Sequence, residues 1–264
     1  MTDSALAALA AAAGLGAAQV HLRRVGGGAA WSSDDGRWIS PASLIKLPLA
    51  VAAGQAIAAG RLSWKSPVCV TAANLTANDA GSPLVPGYWS RVDELVRLML
   101  QRSDNVATNV LYDLLGRERS TGALHGLGFR RTFFRRKLSG AEPLIDDPQA
   151  TGRNAFPARE AVALLERLAR GRLPEAARLR EILATSYWDV KLSRGLAPGD
   201  AFAHKTGDTD AVSHDAGILR LAAGDTWAIA VYTDLPSSDE VDRRFGAFMQ
   251  ALRPQLVAAA HGAR

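Results

Sequence analysis

Residues 38–50 read WISPASLIKLPLA and mark the start of a helix. Ser40 is a candidate cap and Pro41 suits the first helical position. Ser43 and Lys46 lie three residues apart, which on a helix places them on one face. Serine needs an adjacent base to act as a nucleophile, and a lysine can be that base when burial or a second cation lowers its pKa. The segment therefore predicts a nucleophile and its base, although Ser-x-x-Lys alone occurs about once by chance in such a chain.

Two further short motifs follow at long spacing. Ser103-Asp104-Asn105 precedes a helical pattern and taken alone is a helix cap, because all three residue types are preferred there. Lys205-Thr206-Gly207 ends a predicted strand and taken alone is a strand entering a turn, with Gly207 supplying backbone freedom. With average residue usage, the chance of all three motifs in this order is on the order of one in thousands or less. Together they indicate one catalytic constellation.

The motifs match the order SxxK, SDN and KTG, so the chain resembles class A β-lactamases and related penicillin-recognising serine hydrolases. The similarity extends to Arg102–Asn109, to the turn Gly81–Leu84 and to Asn154–Leu165, which is similar to the helix after the family's omega loop. It covers essentially the whole chain. It therefore implies an α/β (α+β) fold, with a five-stranded antiparallel sheet flanked by helices and an all-helical subdomain.

Hydrophobic periodicity indicates the same organisation. Strand patterns occur near both ends of the chain, at Ala18–Val25, Ala201–Lys205, His214–Leu221 and Thr226–Thr233. The middle of the chain carries helical patterns, at Val92–Leu100, Val106–Leu115 and Ala158–Ala169. We predict one domain over residues 1–264, with an α/β subdomain from 1–42 and 192–264 and a helical subdomain from 43–191.

The resemblance implies an acyl-enzyme mechanism on a β-lactam amide, and with it antibiotic resistance. Ser43 would attack the carbonyl and Lys46 would take its proton. Ser103 would pass a proton to the leaving nitrogen, and Lys205 would hold that hydroxyl. Substrate binding is implied for four residues: Asn105, Thr206, Gly207 and Asp208. Among them, Thr206 would bind the substrate carboxylate, and the backbone N–H of Asp208 would join that of Ser43 in an oxyanion hole.

The chain departs from the family at the omega loop. By spacing, the glutamate that activates the deacylating water falls near Ser139 or Gly140, neither of which can act as a base. Glu142 lies close and, with Pro143, resembles the family's Glu-Pro step. A shifted loop would make Glu142 the deacylation base. Otherwise Glu142 is a surface residue and the acyl-enzyme persists.

A second departure concerns substrate charge. The position that matches the family's carboxylate-binding arginine is Ala216. Asp208, Asp210 and Asp215 place negative charge around it, which we expect only His214 to offset. Because like charges repel at a few ångströms, an anionic substrate is expected to bind less well here than in a typical β-lactamase.

These departures leave two alternatives open. One keeps the serine chemistry but acts on a D-alanyl peptide or a small ester. The other is a sensor or pseudoenzyme that is acylated by a β-lactam and does not turn it over. In each case the expected partner is a small molecule and the expected state is a monomer.

Other functional classes are disfavoured. The five histidines show no metal-ligand spacing and there is a single cysteine, Cys69, so we expect neither metal nor cofactor. The net charge of +5 is spread along the chain. The basic and aromatic run Phe129–Leu138 is interpreted as a connecting segment anchored by Phe133 and Phe134, so no nucleic-acid partner is expected.

No membrane partner is expected either. The apolar run Ala5–Val20 follows Met-Thr-Asp-Ser, which lacks the positive segment of a signal peptide. We therefore expect a cytoplasmic location for the chain as written, and a secreted or periplasmic one only if a leader was removed.

Overall fold

The computed structural model describes residues 1–261, so residues 262–264 of the predicted domain lie outside the described part. The chain forms two compact units. The sheet unit consists of residues 1–44, 157–172 and the chain from Trp188 onward. The helical unit consists of residues 45–156 and 173–187. Within residues 1–261, no helix has both the length and the apolar content needed to cross a bilayer.

The sheet unit contains the predicted five-stranded antiparallel sheet. Its strands are β1 Gln19–Arg24, β2 Ala30–Ser33, β5 Ala201–Asp208, β6 Ser213–Arg220 and β7 Thr226–Thr233. Their order across the sheet is β2-β1-β7-β6-β5, and every pairing is antiparallel. The sheet is therefore built from both ends of the chain, with β1 from the beginning hydrogen-bonded to β7 from the end.

Helices cover this sheet because its central strands are apolar on both faces. Nearly every residue of β7 (TWAIAVYT) is buried, which is typical of a strand covered on both sides. Trp227, Ile229 and Val231 share a core cluster with Phe245 and Phe248. The cluster joins the sheet to helix α8, Asp239–His261, and to helix α1, Asp3–Ala12.

A third helix of the sheet unit departs from the predicted division of the chain. Helix α6, Ala158–Ala169, packs against β1, β6 and β7. The sequence placed residues 43–191 in the helical subdomain, whereas this helix groups with the sheet. The 3.6-residue periodicity gives the apolar face of a helix, here including Val162 and Leu165, but not the element against which that face packs.

The helical unit is centred on α2, Lys46–Ala58, which is buried almost all round. Four helices pack near or against it: α3 Val92–Gln101, α4 Asn105–Leu115, α5 Arg117–Gly126 and α7 Ala176–Leu183. A two-stranded sheet of β3 Pro67–Cys69 and β4 Trp89–Arg91 completes the unit. Pro48 lies in the first turn of α2, where its missing N–H would have no helical partner in any case.

Candidate active site

Ser43 lies in a 3₁₀ helix, Ala42–Ile45, immediately before α2. The sequence predicted a helix that begins with Pro41. The structure starts with this tighter turn instead, and the Ser40 hydroxyl accepts a long 3.4 Å bond from the Ala42 N–H. Ala42 has a φ of +45°, a conformation that L residues adopt at a cost. The backbone directly before Ser43 is therefore held in a conformation that its surroundings must enforce.

Strand β5 lies close against the backbone that carries Ser43. A Cβ added to Gly207 would stand 3.2 Å from the Pro41 carbonyl oxygen and 3.3 Å from the Leu44 nitrogen. A side chain at this position would force the strand and the 3₁₀ helix apart. Glycine is needed here for close approach, whereas the sequence interpretation assigned it to turn flexibility. The structure thus brings Gly207 and the Ser43 segment together within the sheet unit.

His214 on β6 fixes the same segment from a second side. Its Nε2 donates to the Ser40 carbonyl oxygen at 2.7 Å, while its Nδ1 accepts from the Thr233 N–H at 3.1 Å. The ring stacks on Tyr232 with centroids 4.5 Å apart. Burial, with a contribution from the Lys191 charge, lowers the pKa of His214 to about 4. His214 is therefore neutral at pH 7 and cannot offset nearby carboxylates, so that expectation from the sequence is wrong.

Lys46 is the centre of a polar cluster in the helical unit. Its side chain is fully buried. Its Nζ donates to the Ser103 carbonyl oxygen at 2.6 Å, to Asn105 Oδ1 at 2.7 Å and to Ser103 Oγ at 3.1 Å. The first two motifs, 57 residues apart along the chain, are thus joined through this lysine. All three acceptors are neutral oxygens.

The Ser103-Asp104-Asn105 segment is both a helix cap and part of this cluster. Asp104 is the N-cap of α4, and its Oδ1 accepts from the Ala107 N–H at 2.8 Å. Ser103 has a φ of +59°, and this left-handed turn aims its hydroxyl at Lys46. The Asn105 amide nitrogen donates to the Ala77 carbonyl oxygen at 3.1 Å, which orients its oxygen toward Lys46. The middle residue caps the helix, and its two neighbours bind the lysine.

The loop that carries Glu142 begins beside this cluster. The Gly140 N–H donates to Thr76 Oγ1 at 2.9 Å, and a Cβ on Gly140 would overlap the Ala77 carbonyl that Asn105 binds. Glu142, two residues further on, is exposed, and its Oε2 accepts from the Leu144 N–H at 3.1 Å. The glutamate carboxylate is thus held on the loop by its own backbone, near the Lys46 cluster and open to solvent.

An ion pair fixes the far end of this loop. Arg117 grips Asp147 with two bonds of 2.7 and 2.8 Å, and both side chains are nearly buried. Burial acts to raise the pKa of Asp147, but the hydrogen bonds from Arg117 and from the Lys137 backbone outweigh it and lower the pKa below its ordinary value. The loop is therefore anchored at Gly140 and at Asp147, with Glu142 between the two anchors.

Lys205 and Thr206 lie in the last half of β5 and are almost entirely buried. The Lys205 Nζ donates to the Thr206 carbonyl oxygen at 2.8 Å. Lys205 is paired across the sheet with Ala216, the position predicted to lack the family's arginine. Among the residues of β6, the only arginine is Arg220, which is paired with Ala201 at the opposite end of β5.

A buried lysine that the sequence interpretation missed forms an ion pair with Asp208. Lys191, only 1% exposed, donates to Asp208 Oδ1 at 2.5 Å, to Ser213 Oγ at 2.7 Å and to the His214 carbonyl oxygen at 3.2 Å. Its partners follow it by 17 to 23 residues and are brought to it by the β5–β6 pairing. A lysine in the run DVKLSR carries no local pattern that would have marked it.

A second cation neutralises Asp215. His204 Nδ1 donates to Asp215 Oδ1 at 2.8 Å, and its Nε2 lies 3.4 Å from Asp189 Oδ1. Burial acts to lower the pKa of His204, but Asp215 and Asp189 outweigh it and raise the pKa to about 9. Two of the three carboxylates predicted to crowd this region, Asp208 and Asp215, are therefore paired with Lys191 and with His204 rather than offset by His214, and Asp210 is exposed.

The sequence and the fold of this chain are similar to those of known proteins. A family model described as the Beta-lactamase enzyme family matches residues 2–251. The chain is similar to the solved β-lactamase from Sphaerobacter thermophilus DSM 20745, with 25% identity, a TM-score of 0.83, and coverage of 97% of this chain and 98% of that chain. No curated protein sequence matches the chain significantly.

Two more distant solved structures have the same fold. The TLA-3 extended-spectrum β-lactamase is 20% identical, with a TM-score of 0.84 over 97% of this chain and 100% of that chain. The protein named PBP-A is 22% identical, with a TM-score of 0.78 over 95% of this chain and 96% of that chain.

Proposed function

Since the chain belongs to the beta-lactamase enzyme family, we propose that it is a serine hydrolase that opens a β-lactam amide through an acyl-enzyme on Ser43. The observation that carries the proposal is the cluster around Lys46. A fully buried lysine contacts Ser103 Oγ at 3.1 Å and Asn105 Oδ1 at 2.7 Å, three residues after the candidate nucleophile. Such a lysine supplies the base that an unassisted serine lacks.

In the acylation step, Ser43 Oγ forms a bond to the carbonyl carbon while its proton passes to Lys46, directly or through a water molecule. The carbon–nitrogen bond then breaks, and the nitrogen takes a proton from Ser103. The 3.1 Å contact between Lys46 Nζ and Ser103 Oγ supports this order, because it lets the proton move from the lysine through the serine to the leaving group.

The oxyanion that forms during acylation is assigned to the backbone N–H groups of Ser43 and Asp208. The close packing of Gly207 on the Pro41–Leu44 backbone supports this assignment, since it sets β5 beside the nucleophile segment. Each such donor contributes roughly 3 kcal/mol of transition-state stabilisation in comparable enzymes. Thr206 is assigned to the substrate carboxylate, Asn105 to a side-chain amide and Lys205 to the positive field around them.

Deacylation is assigned to Glu142, which would take a proton from the attacking water. Its loop starts beside the Ala77 carbonyl that Asn105 binds, which supports this role. The side chain is exposed in the described loop, so the loop must bring it to the ester before water can be activated. If it does not, the acyl-enzyme persists and the protein acts as a β-lactam sensor.

Intact-protein mass spectrometry with a chromogenic cephalosporin tests the proposal, with absorbance followed in parallel. Ser43→Ala is the decisive variant. Ser237→Ala, which removes the hydroxyl of an exposed serine before α8, is the matched control. We expect colour in the wild type and in the control, and neither colour nor adduct in Ser43→Ala.

Each combination of colour and adduct supports one interpretation. Colour without a lasting adduct supports hydrolysis with deacylation. An adduct that needs Ser43 and persists for hours favours the sensor. Absence of both would refute β-lactam chemistry and direct attention to D-alanyl peptides and small esters. Size-exclusion chromatography of the same samples tests the proposed monomer.

A further inference from the structure

The end of β5 carries an anion-binding arrangement made by two donors. Lys191 is buried and its three hydrogen bonds go to Asp208 Oδ1, Ser213 Oγ and the His214 carbonyl oxygen. Ser213 in turn donates its hydroxyl to Asp208 Oδ1 at 2.9 Å. The lysine and the serine therefore converge on a single carboxylate oxygen, as they would on a bound anion.

Asp208 lies on the strand assigned to substrate. Side chains two residues apart on a strand point to the same face, so Asp208 shares a face with Thr206, which is assigned to the substrate carboxylate. Both bonds to Asp208 use Oδ1, and the side chain is 29% exposed. The Asp208 carboxylate is thus hydrogen-bonded to Lys191 and Ser213 and is also accessible to solvent.

We infer that Lys191 and Ser213 form a carboxylate-binding subsite and that the chain fills it with its own Asp208. The subsite then has no donor left for a substrate anion, and an anion that approaches Thr206 also meets the Asp208 charge. Asp242, 3.9 Å from Lys191, adds a second carboxylate to the surroundings. The preferred substrates that follow are acyl compounds in which the carboxylate beside the scissile amide or ester bond is absent or masked, while a free acid reacts more slowly. This inference rests on the proposed function only for the identity of the scissile bond.

The test compares a cephalosporin that carries its free carboxylate with the methyl ester of the same compound. Because the pair differs by one unit of charge and one methyl group, the change in the acid-to-ester ratio of kcat/KM between protein variants reports the subsite. We expect the wild type to favour the ester. Asp208→Ala is expected to raise the acid-to-ester ratio about 5- to 10-fold, the effect of one unit charge at roughly 7 Å in a partly solvated site.

Two further variants separate the subsite from general charge effects. Asp210→Ala removes the same charge from an exposed neighbour that does not touch Lys191, and we expect less than a 2-fold change in the ratio. The double variant Lys191→Met, Asp208→Ala removes the cation as well and is expected to return the ratio to the wild-type value. Equal changes in Asp208→Ala and Asp210→Ala would overturn the inference.

A binding measurement tests the subsite without any turnover. Sodium acetate, against sodium chloride at equal ionic strength, is expected to raise the melting temperature of Asp208→Ala but not of the wild type, since only the variant leaves Lys191 and Ser213 unfilled. If acetate stabilises neither, the subsite does not exist. If it stabilises Asp208→Ala in a protein that never reacts with β-lactams, the proposed function fails and the subsite stands. The acetate measurement uses only the Asp208→Ala variant, so it tests the subsite even if the double variant does not fold.

Discussion

The two units hold their buried lysines in opposite ways. In the helical unit, Lys46 donates to neutral oxygens of Ser103 and Asn105. In the sheet unit, Lys191 forms an ion pair with Asp208. Removing Lys46 takes away the proposed base and leaves neutral oxygens behind. Removing Lys191 leaves the Asp208 carboxylate, which is 29% exposed, without its cation. The first loss should therefore appear mainly in the rate, and the second in stability and selectivity.

Lys46→Met should give the largest effect. Without the base, Ser43 stays a weak nucleophile, and we expect the acylation rate to fall by at least about 1000-fold. Rapid-quench mass spectrometry measures that rate, and urea unfolding measures stability. The exposed Lys65→Met is the matched control. The predicted difference between the units is wrong if Lys46→Met lowers the free energy of unfolding strongly and leaves the acylation rate nearly unchanged.

Lys191→Met should be the converse. Removing one partner of a buried ion pair costs about 3 to 5 kcal/mol, and the cost here lies at about 3 kcal/mol because the remaining Asp208 carboxylate is 29% exposed. We expect a loss of this size in the free energy of unfolding measured with urea. Lys191→Met, Asp208→Asn should recover part of it. If Lys191→Met is as stable as the wild type, the ion pair contributes little to stability. The predicted difference between the two lysines would then be wrong for Lys191.

The pH dependence of stability sharpens the contrast within the sheet unit. The pKa of His204 in the folded protein is about 9, above its ordinary value of 6.5. A raised pKa on a base adds stability that is complete below pH 6.5 and is lost as the pH rises through 9. We expect the free energy of unfolding to fall by an amount on the order of 3 kcal/mol across this pH range. Urea unfolding at each pH measures it.

His204→Gln is expected to flatten that alkaline slope at a lower overall stability. His214→Gln should keep the slope, because the pKa of His214 is about 4 and the ring does not titrate between pH 6.5 and 9. Identical slopes in the wild type and His204→Gln would assign the pH dependence to other groups.

Glu142→Gln is expected to give the smallest effect and to act after acylation. The rate of adduct formation should stay within about 2-fold, while the lifetime of the acyl-enzyme lengthens about 100-fold, the lower end of the usual contribution of a general base. Time-resolved mass spectrometry separates the two steps. Asp146→Asn, on an exposed carboxylate of the same loop, is the matched control. If the lifetimes of both variants equal that of the wild type, Glu142 is not the base.

The sequence allowed the candidate residues of the helical unit to be predicted more fully than those of the sheet unit. The motifs around Lys46 are short and local, and the α4 pattern starting at Val106 differs from the observed helix by one residue. The predicted segments Ala201–Lys205, His214–Leu221 and Thr226–Thr233 coincide with β5, β6 and β7 to within three residues at any end.

Features that depend on distant pairing were missed. Strand β2 (AWSS) is short and partly exposed, so it shows no clear alternation of apolar residues. The roles of Lys191 and His204 depend on the register of β5 and β6, since the pairing decides which carboxylates they meet. Periodicity describes one element at a time and therefore does not reveal a buried ion pair between elements.

The pairing of β1 with β7 has a consequence for the order in which the protein can assemble. Val20 is opposite Val231, so β1 pairs with a strand that follows it by about 200 residues in the sequence. Contacts of such high sequence separation form slowly. During synthesis, the residues of the helical unit leave the ribosome long before β7 does, while β1 still exposes apolar side chains such as Leu22. The edge of β1 that pairs with β7 therefore stays open until the residues of β7 have been synthesised.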